Sequence, residues 1–237
     1  MARAEAAAWR GVHDRLLDTF GPQHWWPGDT PFEVMVGAVL TQNTAWSNVE
    51  KAIANLKAAD ALSCPAILGL SPAELAALIR PAGFFNVKAR RLAALCGFLE
   101  DADVAESPEA LAAAAPLSAL RPRLLAVHGV GEETADSVLL YALNLPSFVV
   151  DAYTRRIFGR LGLLGGDETY AQIQALFHRH LPAEVTLYNE YHALIVHLGK
   201  TACRPRPRCA ACPLAGMCPQ AAKPAPSRPG NRSRVDA

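Results

Sequence analysis

The 237-residue sequence offers almost nothing from which a sheet could be built. Its one strand-like run, PSFVV at residues 146–150, stands too isolated to pair into a sheet. Aromatic residues make up 7% and charged residues 19%, against 51% apolar, which excludes a disordered chain and favours a folded one with a sizeable core. No apolar run reaches membrane-spanning length. The opening stretch MARAEAAAWRGVHDRLL has neither an uninterrupted apolar segment nor a cleavage-like site. A soluble, cytoplasmic protein without a membrane partner is the expectation.

An excess of one charge sign is also missing overall, at a formal net +1, but the halves differ. Residues 1–150 carry 11 basic and 16 acidic side chains, whereas residues 151–237 carry 12 basic and 6 acidic. A basic C-terminal half suits a polyanionic partner, although an ordinary uneven surface produces the same totals.

What is abundant is helical periodicity. Trp9, Val12, Leu16, Leu17 and Phe20 share one face of an opening helix. After the loop GPQHWWPGDTP, Pro31 suits the first position of the next helix. Further helices are predicted around 47–58, 72–80, 88–100, 108–114, 119–127, 132–144, 152–163, 168–181 and 184–201. Ser71 and Glu74 form a capping box at the head of one of them. The fold class is therefore all-α. From Ala221 onward the chain is rich in proline and basic residues and reads as a flexible tail.

Of six cysteines, Cys64 and Cys96 stand alone and read as free buried thiols. The other four, Cys203, Cys209, Cys212 and Cys218, follow the spacing C-x5-C-x2-C-x5-C. Four thiolates this close can enclose one metal centre, and the spacing alone leaves zinc and a [4Fe–4S] cluster both open.

Two further features carry chemistry. In VHGVG, residues 127–131, Gly129, Val130 and Gly131 turn the chain into a helix whose free backbone N–H groups can hold an anion; a plain tight turn is the blander reading. Asp151, in FVVDAYTRR, stands at the head of the following helix, where it can cap that helix and also aim a carboxylate into a cleft. His192 and His197 are five residues apart, a poor spacing for a shared metal, and are expected in core or surface roles.

Together HGVG, VVDAYTRR, LTQNTAW at residues 40–46 and EYHALIVHLGKTAC ahead of the cysteines resemble the endonuclease III branch of the helix-hairpin-helix DNA glycosylases, from about residue 10 to residue 219. The resemblance implies two helical domains with DNA in the cleft between them. One is a six-helix domain over 29–145 with the hairpin; the other joins 1–28 to 146–220, and 221–237 forms a basic tail. It also implies a [4Fe–4S] cluster on the four cysteines, although the first spacing is one residue shorter than in the best-known members. Damaged double-stranded DNA is the implied partner, with a monomer as the default and a nucleoid-associated location.

Carried onto this chain, the resemblance makes Asp151 the catalytic carboxylate. Gly129, Val130 and Gly131 become phosphate-binding backbone, and Gln42 fills the stack vacated by a flipped base. Lys200, Arg204, Arg206 and Arg208 around the cysteines become phosphate contacts. Glu133 occupies the position where bifunctional members carry a lysine nucleophile, and a carboxylate cannot form an imine. A monofunctional glycosylase is therefore expected. Trp25, Trp26 and Trp46 suggest a pair of aromatic faces around a cationic base. HWWPGDTPFEV and LTQNTAW are similar to the 3-methyladenine glycosylase offshoot, which points to alkylated purines. Two alternatives remain: a glycosylase/lyase for oxidised pyrimidines drawing its amine from Lys88 or Lys200, and a non-catalytic DNA-binding iron–sulfur module.

Overall fold

A computed structural model describes residues 2–221 and is helical throughout, with no strand among the described residues. The expected tail, Ala221 apart, lies outside the described residues. PSFVV forms no strand.

The caps fall where the sequence places them. Helix α1 (Ala2–Phe20) buries Trp9, Val12 and Leu16. Helix α2 (Pro31–Leu40) starts on Thr30, whose hydroxyl accepts from Glu33 N at 3.1 Å, with Pro31 at the first position. Helix α3 (Trp46–Ala58) follows a short turn. Helix α4 (Cys64–Gly69), with its own Ser63 cap, is too short to show a period in the sequence. Helix α5 (Pro72–Leu78) carries the expected Ser71–Glu74 box. The central α6 (Phe85–Asp101) is packed by α2, α4 and α5. Helices α7 (Leu111–Ala114) and α8 (Leu117–Leu125) lead into the glycine turn.

Past that turn the structure departs from the expected single helix over 132–144. Helix α9 (Glu132–Ser137) runs into a wider π turn over Val138–Ala142, in which Leu143 N–H reaches back to Val138 O at 3.0 Å. Such a turn inserts a residue into the helical register and rotates the side chains beyond it, a feature common beside functional sites. Here the π segment packs against both α2 and the last long helix, and it carries Tyr141. Helices α10 (Ala152–Arg160), α11 (Tyr170–His180) and α12 (Val185–Thr201) complete the chain; α1 packs on α11 and α12, and α10 packs on α12.

Several buried polar contacts lock these pieces together. Arg121 of α8 holds the fully buried Asp136 of α9 through two parallel bonds of 2.8 and 2.9 Å. Ser147 adds a third at 2.6 Å, and Gln174 of α11 reaches both Ser147 and Phe148 O. The PSFVV run is thus pinned between the hairpin and α11. Cys64 and Cys96 are free and buried, as expected.

Candidate active-site cleft

The glycine turn and the head of α10 face each other across a cleft of about 850 Å³. Gln42, Asn43 and Arg91 form one wall, residues 129–134 the floor, and Asp151, Ala152, Tyr153 and Tyr170 the opposite side.

Gly129 has φ +82, a conformation that favours glycine, and a Cβ there would fall within the Arg91 side chain. The turn therefore needs glycine for two reasons, its backbone and its neighbour. Gly129 N–H and Gly131 N–H meet no acceptor among the described residues, which leaves them available to an anion at the head of α9. Val130 differs from the expectation. Its side chain is buried and its N–H is spent inside the turn, on Val127 O at 3.0 Å.

Gln42 is tied to this turn. Its amide nitrogen donates to Gly129 O at 3.1 Å and to Thr134 Oγ1 at 2.9 Å, and its oxygen accepts from Arg91 Nη1. Nothing in the local sequence around Arg91 marks it out; only the approach of α6 to the hairpin gives it this place. Lys88, one turn earlier on α6, is buried and donates to Leu40 O and Ala82 O, both at 2.8 Å. Burial, and then the nearby Arg91, bring its amine down to about 8. Its nitrogen thus ties the end of α2 to the turn before α6 and does not line the cleft. That removes it as a nucleophile candidate. Phe84 is left-handed (φ 46) and 69% exposed, an aromatic side chain held out into solvent.

Asp151 caps α10 as the sequence suggests. Its Oδ1 accepts from Thr154 N at 2.7 Å and from Thr154 Oγ1 at 2.8 Å, while Oδ2 faces His192 Nε2 at 3.6 Å. Burial alone would raise its pKa, but His192 and Thr154 together hold it below the ordinary carboxylate range. Glu133 opens into the same cleft and behaves oppositely. Desolvation by the cleft walls and then the charge of Asp151 push its pKa up, against a smaller opposing pull from His192.

His192 lies in the core, one of the two roles expected for it, but it also faces the cleft carboxylate. It is 6% exposed, joined through Nδ1 to Tyr141 OH at 2.5 Å, and beside Asp151. Tyr141 is 51 residues away in the chain, so no local pattern could pair the two. His197, by contrast, contacts Gln23 Oε1 at 2.9 Å in a structural role.

The three tryptophans come together, but not as parallel faces. Trp26 meets Trp46 edge-on at 5.1 Å and 90°, and Trp25 meets Trp26 at 5.5 Å and 69°. All three are partly buried and are not among the residues that line the main cleft; Trp46 borders a smaller hollow of about 310 Å³ on the neighbouring face. The cluster is linked toward Asp151 through Tyr141, whose ring lies 5.0 Å from Trp26 and whose hydroxyl holds His192. The exposed Lys200 places its Nζ 5.7 Å from the centre of Trp25.

The cysteine loop is anchored by the helix that Asp151 caps. Arg156 of α10 donates to Cys203 O at 2.9 Å and to Gly199 O at 3.2 Å. Arg160 donates to Cys203 Sγ at 3.2 Å, Arg204 O at 2.7 Å and Pro205 O at 3.0 Å. Arg204, Arg206 and Arg208 themselves are exposed. Burial raises the Cys212 thiol against a lowering backbone bond from Leu214, and the charges of Cys203, Cys218 and Cys209 add to the rise. Among the described residues, no three His, Cys, Asp or Glu side chains are grouped so as to hold a single ion.

An all-α chain in which a helix–glycine turn–helix faces a capping aspartate across a cleft defines the helix-hairpin-helix class. Residues 36–183 match the model of the HhH-GPD superfamily base excision DNA repair proteins, and the chain belongs to that superfamily, in its endonuclease III-like part. A Methanocaldococcus jannaschii protein, provisionally named a DNA repair glycosylase, is 47% identical over 207 residues, covering 87% of this chain and 94% of its own. Endonuclease III of Treponema pallidum is 31% identical over 213 residues, covering 90% and 93%. A Helicobacter pylori 3-methyladenine DNA glycosylase, solved bound to 1,N6-ethenoadenine, superposes with a TM-score of 0.67 at 30% identity, covering 84% of this chain and 97% of that one. The activity is that of a base excision repair DNA glycosylase.

Proposed function

We propose that this glycosylase is monofunctional: it flips a damaged base from duplex DNA and hydrolyses the N-glycosidic bond without cutting the strand. The observation that carries this reading is the identity of the side chains around Asp151. Glu133 stands across the cleft from it, and no lysine is among the residues lining that cleft. An acid there cannot form the imine on which strand cleavage depends. Asp151, held ionised, stabilises the positive charge that develops on the sugar while water adds to the anomeric carbon and the base departs.

DNA backbone is held by the free N–H groups of Gly129 and Gly131 and by the basic surface of Lys200, Arg204, Arg206 and Arg208. Gln42, on the cleft wall, fills the gap left by the flipped nucleotide, at a cost of a few kcal/mol that is smallest for a damaged base. The substrate is an alkylated purine. The likeness to the H. pylori 3-methyladenine glycosylase supports this.

The four cysteines hold a [4Fe–4S] cluster. Their chemistry fits that group: four thiols spaced within sixteen residues on one loop that Arg156 and Arg160 anchor. When bound it supplies a rigid core for the loop that presents the arginines. The protein acts as a monomer on damaged double-stranded DNA.

A time course on two end-labelled duplexes, one with an N-alkylated purine and one with an oxidised pyrimidine, tests the reading. Breaks in the alkylated duplex should appear only after alkali. Breaks without alkali, chiefly in the oxidised pyrimidine duplex, would overturn both the substrate and the monofunctional assignment.

A further inference from the structure

Of the two oxygens of Asp151, one is fully occupied. Oδ1 takes both the N–H and the hydroxyl of Thr154, at 2.7 and 2.8 Å. Oδ2 is the oxygen left for chemistry, and the group facing it is His192 Nε2, 3.6 Å away. That nitrogen is buried and has no hydrogen-bond partner. An unpaired polar atom in the interior is destabilising, so an imidazole kept in this state calls for a reason that packing alone does not supply.

The other end of the ring explains its orientation. Tyr141 OH lies 2.5 Å from Nδ1. Burial, and then the charges of Asp151 and Glu133, raise the phenol far above its ordinary range, so its proton stays on and is donated to Nδ1. The neutral imidazole then carries its hydrogen on Nε2, the nitrogen facing the free oxygen of Asp151. The groups facing His192 are Tyr141 from the π turn, Asp151 from the head of α10 and Glu133 from the first turn of α9. At 3.6 Å the Nε2–Oδ2 pair is longer than a hydrogen bond of about 3 Å, and a small rotation of the carboxylate closes it.

We propose that His192, oriented by Tyr141, is a positioning residue that aims and holds the free carboxylate oxygen of Asp151 for base release. The inference rests on Asp151 being the catalytic carboxylate. It gives the π turn a purpose, since that turn carries Tyr141, and it links the aromatic cluster to the reacting carboxylate.

The test uses the full-length protein and three variants. His192→Leu removes the donor, His192→Gln keeps an N–H near the position of Nε2, and Tyr141→Phe leaves the ring unoriented. The first readout is the carboxyl ¹³C titration of Asp151, assigned by its loss in Asp151→Asn; it needs no substrate. His192→Leu should raise the midpoint by about one pH unit, a tenfold change in ionisation. The second is the pH profile of single-turnover release from a duplex carrying one 7-methylguanine. In His192→Leu the acid limb should move upward with the midpoint and the plateau fall about tenfold. Affinity for a duplex with a tetrahydrofuran abasic analogue should hold within about twofold. His192→Gln should recover most of the plateau, and Tyr141→Phe should fall between. An Asp151 midpoint in His192→Leu equal to that of the wild type overturns the inference. Failure of the underlying reading looks different: Asp151→Asn would release base at the wild-type rate while the midpoint shift persisted.

Discussion

Glu133 and Asp151 open into one cleft from two different helix heads, and the protein drives them in opposite directions. Burial raises both. Asp151 then has Thr154 donating to one oxygen and His192 facing the other at 3.6 Å, and its pKa ends below the ordinary range. Glu133, in the first turn of α9, meets chiefly desolvation and the charge of Asp151, and its pKa ends above that range. Asp151 is buried with partners and Glu133 is the more exposed of the two, without them, so the partners outweigh depth in one cleft that keeps a carboxylate ionised beside one that is reluctant to be. It also suggests why the two positions are not interchangeable.

The largest expected effect comes from removing the ionised member. Asp151→Asn keeps the cap, because the amide oxygen still accepts from Thr154, but it removes the charge. Single-turnover base release should fall by about 10²–10⁴-fold with thermal stability and abasic-analogue binding little changed. Comparable loss in Glu133→Gln would erase the distinction drawn between the two.

Changing the other member should add an activity. Glu133→Lys places an amine across the cleft from Asp151, where a carboxylate now stands. Borohydride trapping on a duplex with an abasic site should go from no adduct in the wild type to a clear covalent band in the variant. An adduct already formed by the wild type would show that an amine outside the cleft lining reaches the sugar, and the comparison would then fail at its premise.

A third carboxylate sharpens the contrast by having no role in the cleft. Asp136, fully buried, is held by Arg121 through two bonds and by Ser147 through one. Arg121→Ala strands that charge in the interior and should cost about 3 kcal/mol of unfolding free energy by denaturant titration. Replacing both partners, as Arg121→Met with Asp136→Leu, should cost less than the single change. If Arg121→Ala instead abolished base release in a fully folded protein, the pair would belong to the site and not to the scaffold.

Much of this was legible in the chain. The caps at Thr30, Ser71 and Asp151, the buried face of α1 and the four grouped cysteines are written in local spacing, because a cap or a helical face involves residues within a turn of one another. Glu133 and Asp151 were legible for the same reason: each sits at a helix head that the sequence marks. What was hidden depends on contacts across long separations. Arg91 meets Gln42 across 49 residues, and Tyr141 meets His192 across 51. The π turn that brings Tyr141 into place has no signature in VLLYA, whose residues suit an ordinary helix equally well; its wider turn is found between α2 and α12. The tryptophans were singled out by composition, but their edge-on arrangement follows from packing that composition does not encode. Val130 was assigned a free amide that the turn itself consumes.

The smallest expected effect returns to Glu133 and tests its direction of shift by stability alone. In the unfolded chain its carboxyl ionises near 4.5, whereas in the folded protein it ionises at higher pH. Across that window the unfolded state gives up its proton first, so wild-type stability falls as pH rises from below 4.5 through the folded value, then levels. Glu133→Gln has no proton to lose and should escape that fall. The variant should match the wild type at low pH and exceed it at pH 7. Because the carboxylate is open to water in the cleft, the gain should stay below about 1 kcal/mol. Asp151 works the other way: its depressed pKa contributes stability above its unfolded value of 3.8, and that stability is lost as pH falls through the folded value. Thermal melts of Glu133→Gln and wild type from pH 4 to pH 8 would therefore show curves that part as pH rises. Curves that part as pH falls would mean that Glu133 is held ionised like its neighbour, and the opposition between the two carboxylates would be lost.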